Sequence, residues 1–317
     1  MKSGGCASKL GQAQLAEVLR HLPRTPDPRL LVGFDTSDDA GAILLPDGRV
    51  MIQTTDFFTP IVDDAYDFGR IAATNALSDS YAMGATPLTA LNIALFDPAI
   101  VPPEVWAEVS RGAFDQCTKA GVIVMGGHTV VDAEPKFGLA VTGFCDSPQQ
   151  LFRNDAAAIG DDIYLTKPLG TGMITTAAKR GACPPEVLAR GVDVMTTLNA
   201  DAMHAAHAAG VRCATDITGF GLAGHLLNVA RASEVCIELD GASLPEIEGC
   251  QDLHGYCPAG AGRNQAHAAT LMKGEIENPL LYDPQTSGGL ALFSRQPIHG
   301  AIKIGRVTGP GATLVVG

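Results

Sequence analysis

Phe68-Gly69-Arg70-Ile71-Ala72-Ala73-Thr74-Asn75-Ala76-Leu77-Ser78-Asp79 lies at the centre of a stretch, Tyr66 to Met83, whose apolar residues recur with helical period. Within it Asn75 and Asp79 stand at i, i+4, so the spacing predicts both side chains on one helix face, addressing one site. Gly41 to Leu45 and Arg49 to Thr55 flank Pro46-Asp47-Gly48, a tight-turn combination between two strands, which puts Asp56 at the end of the second strand. On the other side, Thr86 to Leu95 reads as a strand and Pro102-Pro103-Glu104 opens a helix carrying Val105, Trp106, Val109 and Phe114. Val122 to Met125 returns as a buried strand that leads into Gly126-Gly127-His128-Thr129, and Lys136 to Phe144 supplies another strand.

Gln149 to Gly160 is polar and rich in small residues, so a domain junction is expected near residue 155. The pattern then restarts. A strand at Asp162 to Thr166 precedes Lys167-Pro168-Leu169-Gly170-Thr171-Gly172 and a helix; one long alanine-rich helix is expected over Asp193 to Ala209, another from Gly221, and a strand at Val235 to Leu239. The fold class expected is α/β (α+β) in two domains, 29–155 and 156–317. Ahead of them, residues 1–28 are expected to form a flexible N-terminal arm with an amphipathic helix through Leu15, Val18, Leu19 and Leu22.

Composition narrows the function. The 317 residues carry 22 basic and 34 acidic side chains, a net charge of -12, which opposes a general nucleic-acid surface. Eight cysteines without a C-x-x-C fit reduced thiols in a cytosolic protein rather than a disulfide framework. No segment reads as a signal peptide or a membrane span, so a cytoplasmic location with no membrane partner is expected.

Four acidic motifs place carboxylates beside small or hydroxyl residues: Ser37-Asp38-Asp39-Ala40, Thr54-Thr55-Asp56-Phe57-Phe58, Asn75 to Asp79 and Thr215-Asp216-Ile217-Thr218-Gly219-Phe220-Gly221. Oxygen ligands in such surroundings suit magnesium with a polyphosphate. Any one of these aspartates could equally be a turn former or a helix cap. Brought together they would repel and raise one another's pKa, so convergence in the fold would itself imply a cation. There is no G-x-x-x-x-G-K-[ST], so a nucleotide site here is not a P-loop; Gly126-Gly127-His128-Thr129 offers backbone N–H groups and a hydroxyl to phosphate, although Gly-Gly often only makes a bend. Cys6 and Lys9, in Gly5-Cys6-Ala7-Ser8-Lys9, read either as part of a solvated terminus or as a thiolate stabilised by an ammonium. His204 and His207 share a helix face that is more simply polar than metal-binding, and Asp283-Pro284-Gln285-Thr286-Ser287-Gly288-Gly289 reads as a structural turn.

Taken in order, Gly5 to Lys9, Leu31 to Ala40, Thr54 to Asp63, Phe68 to Asp79, Ala82 to Gly84, Gly126 to Thr129, Phe137 to Gly143, Leu165 to Gly172, Thr215 to His225 and Asp283 to Leu290 closely resemble the selenophosphate synthetases, or selenide, water dikinases. The resemblance implies ATP-dependent conversion of selenide and water to selenophosphate, AMP and phosphate, on the two-domain fold shared with aminoimidazole ribonucleotide synthetase. It implies Mg2+ on Asp39, Asp79 and Asp216, and ATP contacts from Lys9, Thr36, Ser37, Asp38, Asp56 and Asn75, with Asp79 serving both. Gly127, His128 and Thr129 would reach ATP from the partner of a homodimer, Cys6 and Lys9 would be the catalytic pair, and selenium would arrive as selenide or from a protein donor. Two departures stand out: Ser8 replaces a second cysteine common in the family, and the chain after Phe293 passes almost directly to Ala301-Ile302-Lys303-Ile304-Gly305, where relatives usually carry a helix. Thiamine-monophosphate kinase and the hydrogenase maturation dehydratase share aspartates and ATP; the Cys6 and Lys9 arm argues against the first, and the lack of a cysteine after Val316 against the second.

Overall fold

The architecture is seen in a computed structural model, which describes residues 17–18, 21 and 26–317 apart from 275. Cys6, Lys9 and most of the early helix expected around Leu15, Leu19 and Leu22 lie outside the described residues. In chain order the first half contains β1 (Leu30–Val32), β2 (Gly41–Leu44), β3 (Val50–Phe58), α1 (Ala65–Ala82), β4 (Thr86–Leu95), α2 (Pro103–Lys119), β5 (Ile123–Val130) and β6 (Lys136–Cys145). These strands form one six-stranded sheet in the order β1-β2-β3-β6-β4-β5, antiparallel except for the β4–β5 pair.

The second half contains β7 (Asp162–Leu165), α3 (Thr171–Lys179), α4 (Pro185–Thr196), α5 (Ala200–Ala208), β8 (Cys213–Asp216), α6 (Gly221–Ala232), β9 (Val235–Leu239), α7 (Ala259–Ala268), β10 (Met272–Gly274), β11 (Leu290–Ser294), β12 (Ile302–Pro310) and β13 (Thr313–Val316). Its seven strands run in the order β10-β13-β9-β12-β7-β11-β8.

Helix α1 is the centre of the first half. Asp64 caps it by accepting the N–H of Asp67 at 2.8 Å, and from Phe68 onward nearly every residue is buried. It lies between the sheet and α2, and the approach to α2 depends on a pair of glycines: a Cβ on Gly69 would fall 1.9 Å from the Val109 carbonyl oxygen, and one on Gly112 2.0 Å from that of Tyr66. The two halves do not have separate cores at this point. Ile71 and Leu77 of α1 belong to the same apolar cluster as Met195, Leu290 and Leu292 from the second half.

Two expectations are corrected. The single helix over Asp193 to Ala209 is two helices, α4 and α5, separated at Thr197, Leu198 and Asn199. The hydroxyls of Thr196 and Thr197 donate back to the carbonyls of Val192 and Asp193, and Asn199 turns inward, donating to Ser78 Oγ at 2.9 Å and to the Gly288 carbonyl at 3.0 Å. The strand expected to be buried at Val122 to Met125 is instead the exposed edge strand β5, with Ile123 and Met125 both 63% accessible.

Candidate functional site

Strand β3 and helix α1 build the first part of the site from two matching ladders. Thr54 and Asp56, two residues apart, point to the same side of β3 and are separated by roughly 6.6 Å along the strand. Asn75 and Asp79, four apart on α1, are separated by roughly 6 Å along the helix. The side chains therefore pair rung by rung: Asn75 Nδ2 donates to Asp56 Oδ2 at 2.5 Å, and Thr54 Oγ1 donates to Asp79 Oδ2.

The second half adds Asp216, the last residue of β8, opposite Leu290 of β11 and 1% exposed. The loop between β1 and β2 brings Asp39 to it, and Thr215 Oγ1 donates to Asp39 Oδ1 at 3.0 Å. Carboxylate oxygens of Asp39 and Asp216 and a ring nitrogen of His225 all lie within 4.8 Å of one another. Burial, followed by the charges of Asp216, Asp79 and Asp38, pushes the Asp39 carboxyl well above the ordinary carboxylate range, against the opposing Thr215 bond. Asp39 Oδ2 is sealed from solvent and has no hydrogen-bond partner among the described residues. Asp39 and Asp216 are thus brought together from distant segments, and Asp79 on α1 is near enough for its charge to act on Asp39.

His225 stands beside the carboxylates without competing for the same role. Its Nε2 accepts the backbone N–H of Thr218 at 3.2 Å, which fixes the neutral tautomer carrying its proton on Nδ1. The donor set left for a cation is carboxylate oxygen, the chemistry suited to magnesium.

Asp38 faces away from this cluster. Its Oδ1 accepts the Asn154 N–H at 2.7 Å and its Oδ2 the Thr36 hydroxyl, while Asn154 Nδ2 holds the Ser37 carbonyl at 2.7 Å. Burial raises the Asp38 carboxyl, and the Thr36 and Asn154 bonds counter part of that rise. The 36–38 segment is consequently tied to the junction between the halves, with Ser37 in the left-handed region at φ 55°.

Residues 37–145 match the AIR synthase related protein N-terminal domain and residues 158–316 the corresponding C-terminal domain. The chain is 46% identical over 297 residues to the selenide, water dikinase of Caldanaerobacter subterraneus subsp. tengcongensis, covering 92% of this chain and 86% of that protein. It is 44% identical over 304 residues to the selenide, water dikinase of Clostridioides difficile, covering 93% and 87%. The chain belongs to the selenide, water dikinase family. Solved structures share this family's fold at low identity: AaThiL complexed with AMPPCP and TMP has a TM-score of 0.72 at 18% identity, covering 97% of this chain and 93% of that one. The hydrogenase maturation protein HypE in complex with ATP has a TM-score of 0.60 at 19% identity, covering 96% and 91%.

Of the residues that the family resemblance singles out, Gly127, His128 and Thr129 do not join the cluster within one chain. They lie on β5, separated from β3 by β6 and β4, and all three are exposed. Gly126 to Thr129, read as either a phosphate-facing segment or a bend, continue the edge strand: Gly126, at φ 144°, marks a bulge, and Gly127 packs so closely that a Cβ would come 2.2 Å from the Asn92 carbonyl oxygen. His207 is not a metal ligand candidate either, since its Nε2 meets the Gly84 carbonyl at 2.8 Å and its ring packs on Phe152.

The sequence reading assigned no role to Thr54, Asn154, Lys167, Thr215 or His225. Thr54 was recoverable from its period-2 relation to Asp56, and Thr215 and His225 from the motif that contains Asp216. Lys167 stands in Leu165 to Gly172, a stretch that carries the family resemblance, but no spacing pointed it at the site. It is 5% exposed, its Nζ donates to the Ser287 carbonyl at 3.0 Å, and burial lowers its pKa to about 7 while the charge of Asp216 pulls the other way.

Proposed function

We propose that the chain catalyses ATP-dependent synthesis of selenophosphate from selenide and water, releasing AMP and phosphate. The observation that carries this reading, within a chain of this family, is that Asp39 and Asp216 place carboxylate oxygens within 4.8 Å of each other, with the charge of Asp79 acting on Asp39, an arrangement that repulsion alone would force apart. Such an arrangement is complementary to Mg2+ carrying a polyphosphate, with Asp39, Asp79 and Asp216 as its holders. When bound, magnesium would neutralise triphosphate oxygens and so lower the electrostatic cost of bringing an anionic nucleophile to phosphorus.

In this reading the chain's own residues provide position and charge. Thr36, Ser37, Asp38 and Asp56 line the nucleotide site, Asn75 orients Asp56, and Lys9 stabilises charge on the transferred phosphoryl group. Cys6 binds or delivers selenium, taken as selenide or from a protein donor, in a segment that precedes the described body. The exclusion of water from that step favours selenide as nucleophile.

The working unit is a homodimer with shared ATP sites. Support comes from the apolar edge of the first sheet, where Ile123, Met125 and Val131 are 63%, 63% and 71% exposed and Leu88 and Leu91 of neighbouring β4 are half exposed. An unpaired edge strand of this kind is a ready surface for a second copy, and it carries Gly127, His128 and Thr129 toward that copy. A cytoplasmic location fits the free cysteines, and no described helix is long and apolar enough to cross a membrane.

Anaerobic incubation with magnesium, ATP and selenide, followed by phosphorus NMR and AMP quantification, tests the proposal. Selenophosphate and AMP should appear together in the wild type and be lost in Lys9→Ala, whereas Cys6→Ser should fail when the selenium donor is limiting. ATP consumed only to ADP, or turnover indifferent to selenide, refutes it.

A further inference from the structure

A buried chain of hydrogen bonds crosses from the second half of the molecule to the first and ends on Asp56. Lys167, just beyond β7, donates from Nζ to the carbonyl of Ser287 at 3.0 Å. The N–H of Ser287 donates to Asn75 Oδ1 at 2.8 Å, and Asn75 Nδ2 donates to Asp56 Oδ2 at 2.5 Å. Lys167, Ser287, Asn75 and Asp56 are all buried, so water offers little substitute for any of these partners.

The direction of the chain matters more than its existence. A side-chain amide can present either its oxygen or its nitrogen to a neighbour. The Ser287 N–H can only donate, so it claims the Asn75 oxygen and forces the amide nitrogen toward Asp56. That arrangement requires Ser287 to hold a left-handed backbone, φ 53°, which a non-glycine residue adopts only when its surroundings impose it. The surroundings are specific: Lys167 fixes the Ser287 carbonyl, Asn199 fixes that of Gly288, and the next turn is so tightly seated that a Cβ on Gly288 would lie 2.1 Å from the Ile217 carbonyl oxygen.

We infer that Lys167 and Ser287 are positioning residues for Asp56, the second half of the chain setting the orientation of a carboxylate supplied by the first. The buried Lys167 Nζ holds one peptide group in its strained orientation, and the other face of Ser287 sets the Asn75 amide. Asp56 is therefore correctly oriented only when the 283–289 loop is docked against α1. The inference rests on the reading of Asp56 as a nucleotide contact only for its effect on binding; the geometry of the Asn75 amide does not depend on it.

Two measurements test the inference on the full-length protein. In the nucleotide-free protein labelled with 15N-asparagine, the Asn75 side-chain amide resonance should be displaced and exchange faster with solvent in Lys167→Met, while Asn199→Ala, which loosens the same loop at Gly288, should leave it in place. Affinity for a magnesium complex of a non-hydrolysable ATP analogue should fall roughly tenfold in Lys167→Met and in Asn75→Ala, the loss expected for one hydrogen bond to a charged group, and the double variant should bind no worse than Asn75→Ala alone. Asn199→Ala should lower thermal stability with affinity unchanged. An Asn75 resonance unaltered in Lys167→Met overturns the inference, as do losses that multiply in the double variant. If the resonance shifts and the wild type binds no nucleotide, the positioning chain stands and the ATP reading of the site falls.

Discussion

Replacing Asp39 by Asn should stabilise the metal-free protein and abolish its response to magnesium. Asp39 and Asp216 place carboxylate oxygens within 4.8 Å of each other, and Asp79 and Asp38 add to the same field. Two unit charges at that separation repel by roughly 3.5 kcal/mol at an effective dielectric of about 20. The raised pKa of Asp39 means that the folded protein already relieves part of this by holding a proton, so the net gain from a neutral side chain is about 1–2 kcal/mol. Asn retains an oxygen to accept the Thr215 hydroxyl, which keeps the local geometry. For a cooperative chain of 317 residues each kcal/mol moves Tm by about 1.5 °C, so in EDTA the variant should melt about 1.5–3 °C above the wild type.

Magnesium should reverse the order. At a hundredfold excess over Kd a ligand that binds only the folded state adds about 2.7 kcal/mol, which the wild type gains and Asp39→Asn loses. The pH dependence carries the same sign. Because the folded-state pKa of Asp39 is raised, the folded protein holds a proton that the unfolded chain has released, and stability in EDTA falls as pH rises above about 4. That fall should be shallower in Asp39→Asn and should shrink in the wild type with magnesium. Differential scanning fluorimetry across pH, with EDTA or with magnesium, reads all of this. An Asp39→Asn protein that melts below the wild type in EDTA, or that keeps the full magnesium shift, refutes the reasoning.

Asp283, buried at the start of α3 and pushed up to about 7 by burial, should make the wild type lose about 2–3 kcal/mol between pH 5 and pH 8, because the unfolded carboxyl releases its proton first; urea titrations of Asp283→Asn should lack that slope. Met125→Glu on β5 should convert a dimer to a monomer in sedimentation velocity, and an unchanged sedimentation coefficient would remove the sheet edge as the contact. Gly112→Ala should cost about 1–3 kcal/mol, read as a lowered denaturant midpoint, because its methyl group would lie 2.0 Å from the Tyr66 carbonyl and force α2 off α1.

How much of this was legible in the sequence depended on whether a feature resides in side chains or in backbone. Asn75 and Asp79 announced a shared helix face by their spacing, and Asp56 fell on a strand because a turn preceded it. The pairing of the two ladders follows from geometry alone, since two strand residues and four helix residues span nearly the same length. By contrast, the break between α4 and α5 came from an asparagine drawn inward by Ser78 and Gly288, partners 121 and 89 residues away, which local periodicity does not register. The apolar run at Val122 to Met125 was read as buried because its hydrophobic residues would equally suit a sheet interior or an uncovered edge.

The Asp283 to Gly289 turn marks the limit of such reading. Its Asp283 and Gln285 side chains cap α3, bonding Gly172 at 3.0 Å and Gly170 and Thr171 at 3.1 Å, and this structural support was anticipated. Its reach into the site runs through the N–H and C=O of Ser287, groups that nearly every residue possesses and that acquire meaning only from a φ of 53° and a buried lysine 120 residues earlier. Gly288 and Gly289 are the visible trace of that arrangement, because a Cβ at Gly289 would fall 2.4 Å from the Lys167 backbone nitrogen. The close seating of the loop on Lys167 and Ile217, rather than turn formation as such, therefore accounts for the paired glycines. The same seating sets the Ser287 peptide and, through Asn75, the direction in which Asp56 faces.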